Sequence, residues 1–266
     1  MRVCLNGAII DEANAHFAIN DRGVLLGDGV FETIAVRGGQ IKRLNTHLMR
    51  LAHDCRVIGL RVPWADTAIK SWIDKLIADN NLPDAVVRIT LTRGVGPRSL
   101  LAPTDAKPTL LITTAPMPEP AEPARLVIAS STRRNEHAPT SRIKSINYLD
   151  NIIARSEAQR RDADDAIVLN TQGRVAESTA ANIFALIGGG LLTPPITEGA
   201  LPGVMRADVI TLARAEETPI TVEMLMSASE VFLSNALGIR PVIAIQGQTV
   251  GTGEPGLITQ LLAARL

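Results

Sequence analysis

Four prolines fall within nine residues at Ala115-Pro-Met-Pro-Glu-Pro-Ala-Glu-Pro123. Proline fixes φ and removes a backbone donor, so this run can be neither helix interior nor central strand. It reads as an extended connector dividing the 266 residues into a small N-terminal domain, 1–114, a linker, 115–123, and a larger C-terminal domain, 124–266. Each part must then close a core of its own, and 46% hydrophobic residues supply the material.

Charge and cysteine usage narrow the class of partner. Lys and Arg number 27, as do Asp and Glu, so no cationic surplus exists to bind nucleic acid or an anionic membrane. No uncharged apolar run reaches the roughly 18 residues that a bilayer span needs. The first apolar run is interrupted by Asp11 and Glu12, unlike a signal peptide. Cys4 and Cys55 make no disulfide framework, which fits a reducing, cytoplasmic setting. His16, His47, His53 and His137 are scattered without Cys or carboxylate at metal-ligand spacing, so no metal site is expected.

Periodicity sets the elements. Asn6-Gly7 inside Val3–Ile10 predicts a hairpin. Val30–Val36, the turn Arg37-Gly38-Gly39 and Gln40–Leu44 predict a second. Leu44, Leu48, Leu51, Cys55 and Ile58 recur at helical spacing up to Gly59. A further helix is read at Ala65–Ala78, then strands at Val86–Thr92 and Thr109–Thr114. Beyond the linker come a strand (Leu126–Ser130), a helix (about Leu149–Arg161) and strands at Ala166–Asn170 and Asn182–Ile187. A helix at about Val204–Glu216, a strand at Val231–Ser234 and a last short helix complete the chain. Mixed elements without strict βαβ alternation indicate an α+β fold.

Five segments carry chemistry. Asp28-Gly-Val-Phe-Glu-Thr33 holds an acidic pair beside a strand. Arg50, read alone, is half of an exposed i,i+4 pair with Asp54. Thr92-Arg-Gly-Val-Gly-Pro-Arg98 offers Arg93 and Arg98 as anion ligands on a glycine-rich loop. Lys144 stands among β-branched neighbours just before a helix, where desolvation favours the free amine that a Schiff base requires. Pro202-Gly203-Val204-Met205-Arg206 opens a helix, whose unpaired N–H groups suit a phosphate. Arg50, that helix start and the turn Ser234-Asn235-Ala236 could serve one phosphate, with Glu177 supplying a carboxylate.

In order along the chain stand Asp21-Arg-Gly23, Gly27-Asp-Gly-Val-Phe-Glu-Thr33, His47-Leu-Met-Arg50-Leu51 and Ile143-Lys144-Ser-Ile-Asn147. Ala163-Asp-Asp-Ala166, Glu177-Ser-Thr-Ala-Ala-Asn182-Ile-Phe184 and Leu201-Pro-Gly-Val-Met-Arg206 follow. With these motifs the sequence resembles the class IV aminotransferases, pyridoxal-phosphate enzymes of fold type IV. That family includes branched-chain and D-amino-acid aminotransferases and 4-amino-4-deoxychorismate lyase.

The resemblance implies a two-domain α+β fold of the D-amino-acid aminotransferase type, with pyridoxal 5′-phosphate at the domain interface. It also implies a homodimer whose partner loop closes the pocket. Lys144 then holds the cofactor as a Schiff base and shuttles the substrate proton, and Glu177 faces the pyridine nitrogen. Arg50, the N–H groups of Val204 and Met205 and the Asn235-Ala236 turn match the phosphate cup. Tyr148 matches a tyrosine near the phenolic oxygen. Arg98 matches an arginine that grips the substrate carboxylate in D-amino-acid aminotransferases, but Phe31 and Leu100 stand where that grip uses tyrosine and histidine. The activity implied is transfer of an amino group between an amino acid and a 2-oxo acid. One alternative is the lyase that releases pyruvate and 4-aminobenzoate, toward which Ser234-Asn-Ala-Leu-Gly-Ile-Arg-Pro241 leans. Another is a relative that binds the cofactor without catalysis.

Overall fold

In the computed structural model, which describes residues 1–266, the chain divides into two units. One is Met1–Pro118 with Ile143–Asn147; the other is Glu119–Arg142 with Tyr148–Leu266. The division falls inside the proline run. The segment carrying Lys144 belongs to the first unit, although the sequence placed it in the 124–266 stretch.

In the first unit, β1 (Arg2–Leu5) and β2 (Ala8–Asp11) pair through Asn6 and Gly7, at φ 53° and 90°. Two positive φ values twist the turn as the strands require. Next come α1 (Arg22–Leu26), β3 (Gly29–Arg37), β4 (Gln40–Ile41) and α2 (Leu44–Val57). Then follow α3 (Asp66–Asp79), β5 (Ala85–Thr92) and β6 (Thr109–Pro116). All strand pairs are antiparallel, in the order β2-β1-β6-β5-β3-β4. Leu48, Leu51 and Cys55 of α2 and Ile69, Ile73 and Leu76 of α3 form the core with Val30, Ile34 and Val36 of β3. The strand read at Gln40–Leu44 stops at Ile41, because Leu44 already belongs to the helical stripe.

The second unit contains β7 (Ala124–Ile128), α4 (Leu149–Arg160), β8 (Asp165–Leu169), β9 (Val175–Ser178), β10 (Asn182–Ile187) and β11 (Gly190–Thr193). It continues with α5 (Val204–Ala213), β12 (Glu216–Glu217), α6 (Val222–Met226) and β13 (Glu230–Asn235). It ends with β14 (Gly238–Ile245), β15 (Gln248–Thr249) and α7 (Leu257–Arg265). The sheet runs β12-β11-β10-β13-β14-β7-β8-β9, with β15 added on β14. Phe184 and Phe232 stack across β10 and β13 with ring centroids 5.0 Å apart.

β14 has no counterpart among the strands expected from the sequence, and Pro241 within it lacks the N–H that a central strand would use. The structure accommodates it: β7 pairs with β14 only from Val242 onward, so the missing donor costs no bond on that side. The α5 helix stops at Ala213, short of the expected Glu216, because Arg214 turns left-handed at φ 52° and Glu216 joins β12. The architecture is α+β. No helix is long and apolar enough to cross a membrane.

Candidate active site

In the first unit the site begins with strand alternation. Side chains two apart share a face, so Glu32 points the same way as Val30, Ile34 and Val36, toward α2. There His47 and Arg50, three apart on α2, meet it. Arg50 grips the fully buried Glu32 with both prongs, Nε to Oε1 and Nη2 to Oε2, each at 2.7 Å. His47 Nδ1 lies 2.8 Å from Oε2; an ionised carboxylate only accepts, so this nitrogen carries the hydrogen. Burial pushes the Glu32 carboxyl up, yet the Arg50 and His47 bonds outweigh it and hold it below its ordinary value. Arg50 is thus anchored on a residue 18 positions away, and its bond to Glu32 replaces the exposed Asp54 pair expected from the sequence.

Residues 144–146 lie along the start of β3. The Phe31 N–H donates to the Lys144 carbonyl at 2.9 Å, and the Ile146 N–H to the Gly29 carbonyl at 3.1 Å. Glycine is required at 29, since a Cβ there would sit 2.5 Å from the Leu91 carbonyl oxygen. On its other side the Lys144 N–H donates to Asp54 Oδ2 at 2.8 Å. The lysine's main chain is therefore held from both directions. Its Nζ lies 4.4 Å from the centroid of the Phe31 ring, over which the Arg88 guanidinium carbon also sits at 3.8 Å.

The glycine-rich loop corrects one expectation. Arg93 is not an anion ligand: its Nε bonds Asp28, and its two terminal nitrogens bond the Ile58 and Gly59 carbonyls just beyond α2. Arg22 shares the same Asp28 oxygen and donates to the carbonyls of Pro97, Ser99 and Leu100. It thereby fixes the shape of the loop that carries Arg98. Arg98 and Leu100 are themselves exposed.

The second unit gathers the other candidates. Glu177, on β9 and buried, accepts from Arg134 Nη2 at 2.8 Å and from the Leu201 N–H at 2.9 Å. Asn182 pairs with Ser234 across the β10–β13 ladder and donates to the Leu201 carbonyl at 2.8 Å. A Cβ on Gly203 would meet Asn182 Oδ1 at 2.1 Å, so glycine alone lets the start of α5 approach. No side chain caps α5, whose first residues Val204 and Met205 are buried. Asn235 accepts the Leu237 N–H and shapes the turn that includes Ala236. Beside it the buried Ser234 hydroxyl finds no partner within the chain. An uncapped helix start, a glycine with no room for a side chain and an orphaned hydroxyl together fit a phosphate-bearing group. Tyr148, half-buried, stands at the N-cap position of α4.

Sequence reasoning passed over the roles of Glu32, Asp54, Arg88 and Arg134. Glu32 carried a usable signal, a charge in phase with core residues that must find a partner. Arg134 carried none.

The model of the family described as amino-transferase class IV matches residues 29–245. A Methanocaldococcus jannaschii protein, provisionally named a branched-chain-amino-acid aminotransferase, is 34% identical, covering 98% of this chain and 94% of its own. The D-alanine aminotransferase of Bacillus licheniformis is 30% identical over 98% of this chain and 94% of its own. The crystal structure of the branched-chain aminotransferase of Thermoproteus uzoniensis with norvaline superposes with a TM-score of 0.93, at 31% identity, over 100% of this chain and 93% of that one. Agreement of this extent, with Lys144 and Glu177 both inside the matched span, makes the chain a member of the class IV aminotransferases, whose chemistry runs on pyridoxal 5′-phosphate.

Proposed function

We propose that this chain transfers the amino group of an apolar amino acid to a 2-oxo acid, with Lys144 as the residue that carries pyridoxal 5′-phosphate. The observation that carries this reading is the two-sided hold on the Lys144 main chain, by Phe31 and by Asp54, which fixes where a nucleophilic amine starts. When bound, the cofactor supplies an electron sink for charge developing at the substrate Cα. Lys144 then serves as the base that takes the proton from that carbon and returns it. We assign Glu177 to the ring nitrogen, where an anion favours the protonated ring. Arg50, the N–H groups of Val204 and Met205, and the turn at Asn235 and Ala236 are assigned to the phosphate, and Tyr148 to the phenolic oxygen.

Phe31 and Arg88 bear on the substrate. The ring offers an apolar wall, and the exposed guanidinium stacked on it lies at most about 8 Å from the Lys144 amine. Arginine suits a carboxylate, so Arg88 is assigned to the distal carboxylate of a dicarboxylic acceptor. The test is a panel of L- and D-alanine, valine and leucine with 2-oxoglutarate or pyruvate. Transfer from at least one donor is expected. Arg88→Ala should raise KM for 2-oxoglutarate by about 10- to 100-fold, the loss of a charged hydrogen bond, and leave pyruvate less affected. Failure of every donor, with pyruvate released from 4-amino-4-deoxychorismate, would replace this reading with the lyase.

The first unit exposes Ile19 (91%), Leu100 (89%) and Leu101 (83%). Asp21 pairs with Val95 and Arg22 holds residues 97–100, so these apolar side chains share one region. We assign that region to a homodimer contact, with the loop carrying Arg98 and Leu100 closing the partner's site. Sedimentation should show a dimer that Leu100→Asp with Leu101→Asp weakens; a monomeric parent chain would sink the assignment. Cys4 and Cys55, both buried free thiols, fit a cytoplasmic setting.

A further inference from the structure

Asp54 lies on α2 and is fully buried. Its Oδ2 accepts the Lys144 N–H at 2.8 Å, while its Oδ1, equally buried, meets no donor. A backbone N–H needs only a neutral acceptor. A sealed carboxyl with one oxygen unmatched is costly, so a serine or asparagine would hold the same bond more cheaply. What the carboxyl adds is charge.

The groups facing it come from three elements. Arg50, His53 and Cys55 share its helix, Glu32 faces it from β3, and Lys144 meets it from the 143–147 segment. Burial pushes the Asp54 carboxyl up to about 6, helped by Glu32 and opposed by the Lys144 bond, Arg50 and His53. At neutral and alkaline pH it is therefore mostly ionised, seated against the Lys144 main chain.

Resting on the reading of Lys144 as the cofactor-carrying lysine, we propose that Asp54 is its positioning residue. The carboxyl holds the lysine's main chain in register, and its negative charge favours the ammonium form of the Lys144 side chain over the free amine. Neither role requires Asp54 to touch substrate or cofactor.

Two substitutions separate the roles. Asp54→Asn keeps an acceptor of the same shape for the Lys144 N–H and removes the charge; Asp54→Ala removes both. The full-length chain, freed of cofactor, is labelled with trace trinitrobenzenesulfonate across the neutral-to-alkaline range. The yield at Lys144 is read by peptide mass spectrometry, and pyridoxal 5′-phosphate affinity is then measured by absorbance titration.

For Asp54→Asn we expect affinity within about threefold of the parent and a Lys144 labelling profile displaced by about half a pH unit toward lower pH, because a lost anion favours the free amine. For Asp54→Ala we expect affinity weaker by about tenfold or more, the loss of one anchoring hydrogen bond. Coincident labelling profiles for Asp54→Asn and the parent would overturn the proposal, even if Asp54→Ala fails to fold. So would an Asp54→Ala protein that binds the cofactor as tightly as the parent. If the parent chain forms no cofactor adduct at Lys144, the functional reading falls, while the labelling comparison still decides whether Asp54 acts on the lysine.

Discussion

With Lys144 as the proposed cofactor lysine, Lys144→Ala is expected to abolish the visible colour of the cofactor-loaded protein and to lower amino transfer by about a thousandfold or more. Two losses combine. On the proposed reading the covalent attachment goes with the only amine in the 143–147 segment, and so does the group proposed to move the substrate proton. Positioned acid–base catalysis alone is worth about 100- to 10,000-fold. The fold should survive, because what holds this segment is main chain: the Lys144 carbonyl with the Phe31 N–H, and the Lys144 N–H with Asp54. Absorbance of the purified protein and single-turnover amino transfer measure both effects. Borohydride reduction of the parent protein, followed by peptide mapping, gives an independent check. An adduct on another peptide, or colour retained in Lys144→Ala, would show that the wrong lysine has been chosen.

The second large effect is on stability. Glu32→Ala leaves Arg50 and His47 facing an apolar interior without the carboxylate that both bond. Breaking a buried charge pair by removing one partner costs about 3–5 kcal/mol. Trp64 and Trp72 are the only tryptophans and both pack against the first unit's core, so their fluorescence reports that unit's unfolding. Denaturant unfolding followed by this signal should move to distinctly lower concentration in Glu32→Ala.

The pH dependence follows from the lowered Glu32 value. A carboxyl held below its unfolded value binds fewer protons when folded, so its contribution is complete above the ordinary carboxylate range. It is lost as the pH falls through the lower, folded value. The difference between parent and Glu32→Ala should therefore shrink in acid. Equal midpoints at neutral pH would mean that Arg50 needs no such partner.

Elements built from short-range contacts were legible. Asn6-Gly7 announces a hairpin because asparagine and glycine readily adopt the left-handed backbone that the turn requires, as both do here. The α2 stripe declares itself because Leu44, Leu48, Leu51 and Cys55 recur within one helical period and are all buried. Reading failed where a local rule was overridden from outside. Pro241 sits in a central strand because its neighbour's pairing begins one residue later. Arg93, on a loop built like an anion cradle, is consumed by carbonyls 34 and 35 residues away.

The sequence by itself determined most of the elements and the family, and singled out Lys144 and Glu177 as candidates, because local periodicity and ordered motifs survive as one-dimensional patterns. Only the tertiary structure decided who holds whom: Glu32 with Arg50, Asp54 with the Lys144 N–H 90 residues away, and Arg134 with Glu177 across 43. A buried charge accepts whatever complementary group the packing delivers, and the distance along the chain plays no part in that choice.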